Sequence, residues 1–402
     1  PLNRLVYFRP VMQPDSDDFS HSVKREIIPK NYFFEDIIER SVRRLFEGEN
    51  EESPIAPTIK IINLSIGDSS KMFFNQLSST ARVLDWLAYK YHVLFCVSAG
   101  NINSTINLGK TPSEINRLSD NELVNLTINA IHSDIRNRKI LSPAESINSI
   151  TVGAIHTDNS TIVNIGNRID ILPNENMPSP ISAHGLGRKN SIKPEIYIAG
   201  GRQLFDYTEN GYTISTSSES TGQLVATTPV NPGETNRSVY TRGTSNATAL
   251  ATRFAAQIYE MLDNLINYNN ANIDDNNIAA LLKTLLVHGT SWNESASAYE
   301  SILKTSDNSG QFKKILARYL GYGIPDINRV LKCTNQRATA IGYGIIKKDE
   351  KHDFHFPLPP SLGNSKLKRR LTFTLAWFSP INAENKRYRK ANLSIELNNK
   401  IV

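Results

Sequence analysis

The chain has 402 residues, 39% of them hydrophobic and 21% charged, values that are ordinary for a soluble globular protein with room for more than one domain. Its 45 Lys and Arg against 39 Asp and Glu leave a net charge of +6, scattered except for a short basic cluster between Lys366 and Arg370, which argues against a nucleic-acid partner. No apolar run approaches the roughly 20 residues that a membrane span needs, so we expect no membrane insertion.

The cysteine content and the start of the chain indicate something about the compartment and about whether the chain is part of a longer protein. Cys96 and Cys333 are the only cysteines, so no disulfide framework is expected. This usage is compatible with the cytoplasm but does not by itself identify a compartment. The chain opens at Pro1 without a basic-then-apolar leader, and we expect it to be a trimmed piece of a larger protein.

The first part of the chain predicts alternating strands and helices. Strands are expected at residues 5–8, 59–67, 93–97 and 149–155, and helices at 33–46 and 83–91. The strands are apolar along their whole length, which is typical of a parallel sheet covered on both faces. The sequence therefore predicts an α/β fold, with a mostly parallel sheet and helices on both faces.

The later part of the chain predicts more helices and then a change to a strand-like alternation of apolar and polar residues. Expected features are a polar, largely helical excursion over residues 112–138 of the insertion 102–148, a hairpin turn at Asn210-Gly211, and helices over 245–265 and 278–287. Residues 371–377 and 392–397 alternate with period two, as half-exposed antiparallel strands do. We therefore divide the chain into a first domain, 1–332, and the beginning of a β-sandwich-like domain, 333–402.

Two side chains carry the chemistry of acyl transfer. Ser245 follows Gly243 and begins a run of small residues, so it is expected at the start of a closely packed helix. A serine there is commonly an N-cap, but the helix N-terminus also favours developing negative charge. Asn101 ends an apolar strand, where it suits either a turn or the donation of hydrogen bonds to an oxyanion.

These segments and several others resemble, in the same order, the subtilisin-like serine proteases. The matching segments are Ile61–Gly67 (substrate-cleft strand), Ser98–Asn101 (oxyanion strand), Ile150–Ala154, Ser182–Gly185, Lys193–Glu195, Gly200–Gly201, Gly243–Ala247 (nucleophile signature) and Gly321–Gly323 (closing turn). The resemblance runs from roughly residue 1 to residue 330, and it implies a serine endopeptidase that acts on polypeptides.

The resemblance implies a role for each matching residue. Ser245 would be the nucleophile, and the Asn101 side chain with the Ser245 backbone N–H would form the oxyanion hole. The substrate-binding residues implied in the same way are Ser65, Ile66, Gly67, Ala99, Gly100 and Thr244. The first three would pair with the substrate as an added β-strand, and Ala99 and Gly100 would wall the pocket for the residue before the scissile bond.

The general base and its partner are missing from this pattern. The family places an aspartate in a D[ST]G context and a histidine in an HG[TS] context before the serine, and neither pattern occurs in the chain. His21 stands in a different context, Phe19-Ser20-His21-Ser22. We therefore expect the aspartate and the histidine upstream of Pro1, in a segment that packs against this chain, and we expect this chain alone to be inactive.

Other candidate groups support no cofactor. No His, Asp and Glu cluster has metal-ligand spacing, and Asp274-Asp275 is too isolated to predict the structural calcium that many members of the family bind. His184 lies in the Ser182–Gly185 turn and is interpreted as part of its packing.

Two alternatives to an active protease remain open. The first is a catalytically inactive pseudoprotease that binds peptides or serves as a scaffold, which the upstream sequence would distinguish. The second is an α/β-hydrolase esterase, because Gly243–Ala247 loosely fits a nucleophile elbow and Asp275 and His288 follow in the required order. That fold leaves Asn101 without a role.

Overall fold

The structure is a computed structural model that describes residues 4–18, 26–161, 166–174, 176–217, 219–229, 231, 233–269, 271–292, 294–334, 337–355 and 370–396. Its helices are α1 Phe34–Phe46, α2 Ser79–Tyr91, α3 Pro112–Ile115, α4 Asp120–Ser133, α5 Thr244–Asn269, α6 Ile278–His288, α7 Ser295–Leu303, α8 Phe312–Leu320 and α9 Asn328–Leu331. Its strands are β1 Gln13–Pro14, β2 Glu26–Ile27, β3 Ile61–Leu64, β4 Asp68–Met72, β5 Leu94–Ser98, β6 Leu141–Ser142, β7 Ile150–Ile155, β8 Ile196–Ala199, β9 Phe205–Thr208, β10 Gly211–Ile214, β11 Gln223–Ala226, β12 Ser238–Thr241, β13 Thr290–Ser291 and β14 Ile324–Pro325.

The centre of the fold is a four-stranded parallel sheet in the order β3-β5-β7-β8. All five residues of β5 and all six of β7 are buried. These strands can be apolar throughout because both of their faces are covered. The remaining strands form antiparallel pairs around this sheet, including the hairpin β9–β10 at the predicted Asn210-Gly211 turn.

Helices cover both faces of the sheet, as the sequence predicts. On one face, β5 residues Leu94 and Cys96 pack with α5 and α6 in one buried cluster. On the other face, Phe95 and Val97 of the same strand pack with α1 and α2. The fold is therefore an α/β fold with a parallel core sheet covered by helices on both faces.

Helix α5 runs through the middle of the fold because one of its faces consists of small and apolar residues. Ala247, Ala251, Ala255, Ile258 and Leu262 follow one another at intervals of three or four and are fully buried. Alanine allows a helix to approach a sheet closely, and this face packs on β3, β5, β7 and β8. The N-terminus of α5 is thereby fixed at one edge of the sheet.

Two predicted strand regions differ from the structure. Residues 5–8 form no strand, and Leu5 and Phe8 are 80% and 88% exposed rather than buried. Between residues 370 and 396 no strand is present either, although Ile381 and Arg389 form an isolated bridge. An apolar or alternating segment becomes a strand only beside a partner with which to exchange hydrogen bonds, and neither segment has one among the described residues.

Tyr388, in the C-terminal region, packs on helix α2 through a buried polar contact. Tyr388 is 3% exposed, and its hydroxyl donates a 2.7 Å hydrogen bond to Asp85 Oδ2 on α2. The other oxygen of Asp85 accepts from Ser146 Oγ and from the Asn148 backbone N–H. Burial raises the pKa of Asp85, and these donors oppose that shift by stabilising the carboxylate.

We expect Tyr388→Phe to lower the free energy of unfolding by about 1–3 kcal/mol, because a buried carboxylate loses one donor while the ring is retained. Denaturant unfolding measures the change. Tyr343→Phe is the matched control, since Tyr343 donates to Asn272 O at the surface and its loss should cost less than about 1 kcal/mol. Equal effects of the two substitutions would contradict the structural role of the Asp85 contact.

None of the described helices is both long enough and apolar enough to cross a bilayer.

Candidate active site

Three segments meet at the carboxyl edge of the parallel sheet. Strand β3 ends at Leu64 and continues into Ser65, and the neighbouring strand β5 ends at Ser98 and leads to Asn101. Helix α5 begins at Thr244 against the same edge. Ser245 and Asn101 therefore lie close together, although 143 residues separate Asn101 from Thr244.

Ser245 is exposed in the first turn of α5. Its Oγ donates a 3.3 Å hydrogen bond to Ser65 O, at the end of β3. The backbone N–H groups of a first helical turn have no acceptor within the helix, so the Ser245 N–H is free to bind an anion. The field of the 26-residue helix adds to this preference for negative charge.

The Asn101 carboxamide is held in one orientation by Thr244. Its Oδ1 accepts from Thr244 N at 2.9 Å and from Thr244 Oγ1 at 3.0 Å. A backbone N–H can only donate, so the atom that faces it must be the oxygen. Nδ2 is consequently directed away from Thr244, and it donates to no group in the part of the chain that the structure describes.

Gly243 and Thr244 bring the two segments into direct contact. Thr244 Oγ1 also accepts from Gly100 N at 3.2 Å, so one hydroxyl bridges the oxyanion strand and the start of the helix. Gly243 has φ +130°, and a Cβ at this position would lie 2.6 Å from Asn101 Nδ2. Only glycine fits here, since any side chain would displace the carboxamide.

The predicted substrate strand borders the same site. Ser65 Oγ donates to Asn63 Oδ1 at 2.6 Å, and Asn63 Nδ2 donates to Thr252 Oγ1 on α5 at 3.1 Å. Strand β3 lies at the edge of the sheet and pairs only with β5 among the described strands. The segment is therefore tied to α5 while its far edge remains open to another chain.

The described residues provide no histidine or carboxylate as a hydrogen-bond partner of Ser245. The His184 ring is 1% exposed and packs against Tyr319. Burial, with smaller contributions from Arg138 and Arg318, lowers the pKa of His184 to about 3, which makes it a poor base at neutral pH. His21 lies outside the described residues.

The residues of the esterase alternative are occupied elsewhere. Asp275 pairs with Lys60, and His288 Nδ1 lies 3.0 Å from Thr374 Oγ1. Neither contacts Ser245, so the structure does not assemble that triad. Across the described ranges, no group of three or more His, Cys, Asp and Glu side chains is arranged to hold a metal ion.

Two contributors to this region carry no recognisable sequence pattern. Arg242 donates to the carbonyls of Ser217, Glu219 and Thr221, and so holds that loop beside the start of α5. Leu141, from the insertion 102–148, packs against Gly67 and Gly100. Its neighbours in the sequence form no motif, and only the long-range fold brings it to the site.

The chain matches a known protein family and is similar to a protein of known sequence. The family model described as "Subtilase family" matches residues 36–323, which is well over half of the chain. An uncharacterized protein, y4bN, of Sinorhizobium fredii (strain NBRC 101917 / NGR234) is 24% identical over 347 residues, covering 84% of this chain and 71% of the relative.

Solved structures that resemble the chain include the prenylagaramide maturation protease PagA, with 14% identity and a TM-score of 0.37 over 75% of this chain and 69% of that one. The PatG macrocyclase in complex with peptide gives 14% identity and a TM-score of 0.38 over 74% and 57% of the two chains. Patellamide maturation protease PatA gives 14% and 0.36 over 75% and 70%.

Proposed function

Because this chain belongs to the subtilase family of serine proteases, we propose that it is the part of a serine endopeptidase that carries the nucleophile and the oxyanion hole. The observation that carries this proposal is the contact between Asn101 Oδ1 and Thr244. It leaves the amide nitrogen unpaired next to an exposed serine at a helix N-terminus, which is the arrangement that acyl transfer needs.

In the proposed reaction, Ser245 Oγ attacks the scissile carbonyl carbon and forms a C–O bond as the carbonyl oxygen becomes negatively charged. Asn101 Nδ2 and the Ser245 N–H donate hydrogen bonds to that oxygen. The C–N bond then breaks, and the proton that left Oγ passes through a general base to the departing amine. Water hydrolyses the resulting acyl-enzyme.

The substrate-binding residues follow from the same proposal. An extended polypeptide would pair with the backbone of Ser65, Ile66 and Gly67. Ala99 and Gly100 would border the residue before the scissile bond. Thr244 would act as a positioning residue, since it holds the Asn101 carboxamide by two hydrogen bonds.

We further propose that the base histidine and its aspartate belong to a segment of the intact protein upstream of Pro1. The absence of a histidine or carboxylate partner for Ser245 in the described ranges supports this proposal. So do the open edge of β3 and the exposed apolar side chains of Leu5, Val6 and Phe8, which a further segment would cover.

Labelling with a fluorophosphonate probe tests the proposed function. The intact protein should label at the serine. The isolated 402-residue chain should label weakly, because no histidine or carboxylate among its described residues is a hydrogen-bond partner of the Ser245 hydroxyl. Strong labelling of the isolated chain would contradict the upstream location of the base. Absence of labelling in the intact protein would contradict the endopeptidase proposal.

The second candidate is a pseudoprotease that binds peptides without cleaving them. The observation that favours it is that no histidine or carboxylate among the described residues is a hydrogen-bond partner of Ser245. In that case the intact protein would bind an extended peptide along β3 and would not react with the probe.

Asn101→Ala should lower kcat on the order of 10²–10³ with little change in KM, a magnitude known from subtilisin and carried over to this chain. The reason is that Nδ2 would interact with the oxyanion of the transition state and not with the ground-state carbonyl. Steady-state kinetics on the intact protein measure the effect. Asn129→Ala, on the exposed side of α4, is the control and should leave kcat unchanged. An equal loss in both variants would contradict the role of Asn101.

The domain division is also a proposal: a peptidase domain over 1–332 and the beginning of a β-sandwich-like domain over 333–402. The family match ends at residue 323, and the last described helix ends at Leu331, which supports a boundary nearby. We propose no cofactor and a polypeptide as the substrate.

A further inference from the structure

Two glycines lie close together near Ser245 and Asn101. Gly67 ends the segment Ser65–Gly67 that is proposed to bind substrate, and Gly100 precedes Asn101. A Cβ built on Gly67 would lie 3.8 Å from Gly100 Cα, which is ordinary van der Waals contact. The two backbones are therefore close enough that no large side chain fits between them.

The space beneath the two glycines is filled by Leu141. A Cβ on Gly100 would lie 2.5, 2.6 and 2.8 Å from Leu141 Cγ, Cδ1 and Cβ. A Cβ on Gly67 would lie 3.6 Å from Leu141 Cβ and 4.0 Å from Ser142 O. Leu141 is 4% exposed, so its side chain is enclosed in this position. An isobutyl group thus packs directly against both glycines.

Leu141 cannot easily withdraw from this position. Its backbone N–H donates to Ala99 O at 2.9 Å, which attaches β6 to the end of β5. It also pairs with Met72 in the β4–β6 ladder. Its side chain belongs to a buried cluster that includes Phe73, Leu77 and Ala99. A tightly packed side chain of this kind transmits strain and does not yield space to a ligand.

We infer that Leu141 determines specificity by closing the pocket for the side chain that precedes the scissile bond. The substrate class is therefore peptides with glycine, alanine or serine at that position, and larger residues clash with Leu141. This inference rests on the proposed function, because it takes Gly67 and Gly100 as the walls of the substrate cleft.

The test compares peptide substrates that differ only at the residue before the scissile bond, with Ala, Leu or Phe there. For the intact wild-type protein, kcat/KM for the Ala peptide should exceed that for the Leu and Phe peptides by about 10-fold or more. In Leu141→Gly this preference should reverse, with kcat/KM for the larger peptides rising by about 10-fold or more. A wild-type preference for Leu or Phe, or an unchanged order in the variant, would overturn the inference.

Two further variants separate pocket size from general damage. Leu141→Val removes a single methylene and should give an intermediate shift in the order of the substrates, even if Leu141→Gly folds poorly. Ile140→Ala is the matched control, since Ile140 is equally buried in the same cluster but is not among the atoms nearest to either glycine. It should leave the substrate order unchanged, and a reversal in this control would overturn the inference.

A binding experiment distinguishes failure of the inference from failure of the proposed function. Peptides ending in Ala or Leu, the cleavage products, are titrated into Ser245→Ala and into Ser245→Ala with Leu141→Gly, followed by calorimetry. Tighter binding of the Ala peptide to the first protein and of the Leu peptide to the second supports the pocket, whether or not the intact protein cleaves peptides. Equal affinities for the Ala and Leu peptides in both proteins would overturn the pocket. Hydrolysis by the intact protein tests only the endopeptidase proposal.

Discussion

Ser245→Ala in the intact protein should reduce kcat on the order of 10⁶-fold, a magnitude known from loss of the nucleophile in subtilisin and carried over to this chain. The proposed reaction has no covalent intermediate without this hydroxyl. The remaining rate would come from the Asn101 donor and from substrate binding. Cleavage of a chromogenic peptide, followed over days for the variant, measures the difference.

The structure of the variant should be unaffected, because the Ser245 side chain is exposed and its hydrogen bond to Ser65 O is long at 3.3 Å. The free energy of unfolding should therefore change by less than about 1 kcal/mol. Ser301→Ala, on the exposed surface of α7, serves as the control and should retain full activity. Retention of most activity by Ser245→Ala would end the assignment of this residue as the nucleophile.

Lys283→Met should destabilise the folded chain by about 3 kcal/mol. Lys283 lies on α6 and is buried, and its ammonium donates to the carbonyls of Ile147, Asn148 and Ser149 just before β7. Glu195 Oε1 lies 3.8 Å from the same ammonium. Methionine fills a similar volume but removes this donor from the carbonyls of Ile147 and Asn148, while Ser149 O keeps a hydrogen bond from Lys193 Nζ. Denaturant unfolding at neutral pH measures the loss.

The same variant has a pH signature that a simple packing defect lacks. Burial lowers the pKa of Lys283 to about 8 from its ordinary value of 10.5, against the opposing effect of Glu195. The unfolded chain then binds more protons than the folded chain between these two pH values, so folding stability rises with pH across that window. The methionine variant lacks this gain.

The stability difference between wild type and Lys283→Met should therefore be larger at pH 9.5 than at pH 7. Lys313→Met, on the exposed side of α8, should show a small difference at both values. A Lys283→Met difference that stays constant from pH 7 to pH 9.5 would show that Lys283 is not desolvated in the folded state.

Sequence patterns predicted the core sheet and its central helices because those elements follow from local periodicity. The apolar residues of β5 and β7 indicated a parallel sheet, and the alanines after Ser245 indicated a buried helix, α5, which extends to Asn269. The same reasoning was wrong at residues 5–8, where the apolar pattern is real but no described strand lies alongside.

Features that depend on distant contacts could not be read from the sequence in this way. Leu141 looks like any buried aliphatic residue, and its importance comes from its position under Gly67 and Gly100. Lys283 lies 88 residues from Glu195, and neither position shows that both would be enclosed near β7. The contact of Tyr388 with Asp85 spans 303 residues, and Tyr388 lies beyond residue 323, where the family match ends.

The hydrogen bonds from Thr244 to Asn101 have a mechanical consequence. The residue that anchors the amide donor is the immediate neighbour of the proposed nucleophile, so a shift of α5 along its axis carries both groups with it. The alignment of the Asn101 amide with the Ser245 hydroxyl is thus independent of motions of the surrounding loops. Such motion would instead change the distance from these two groups to a general base located elsewhere.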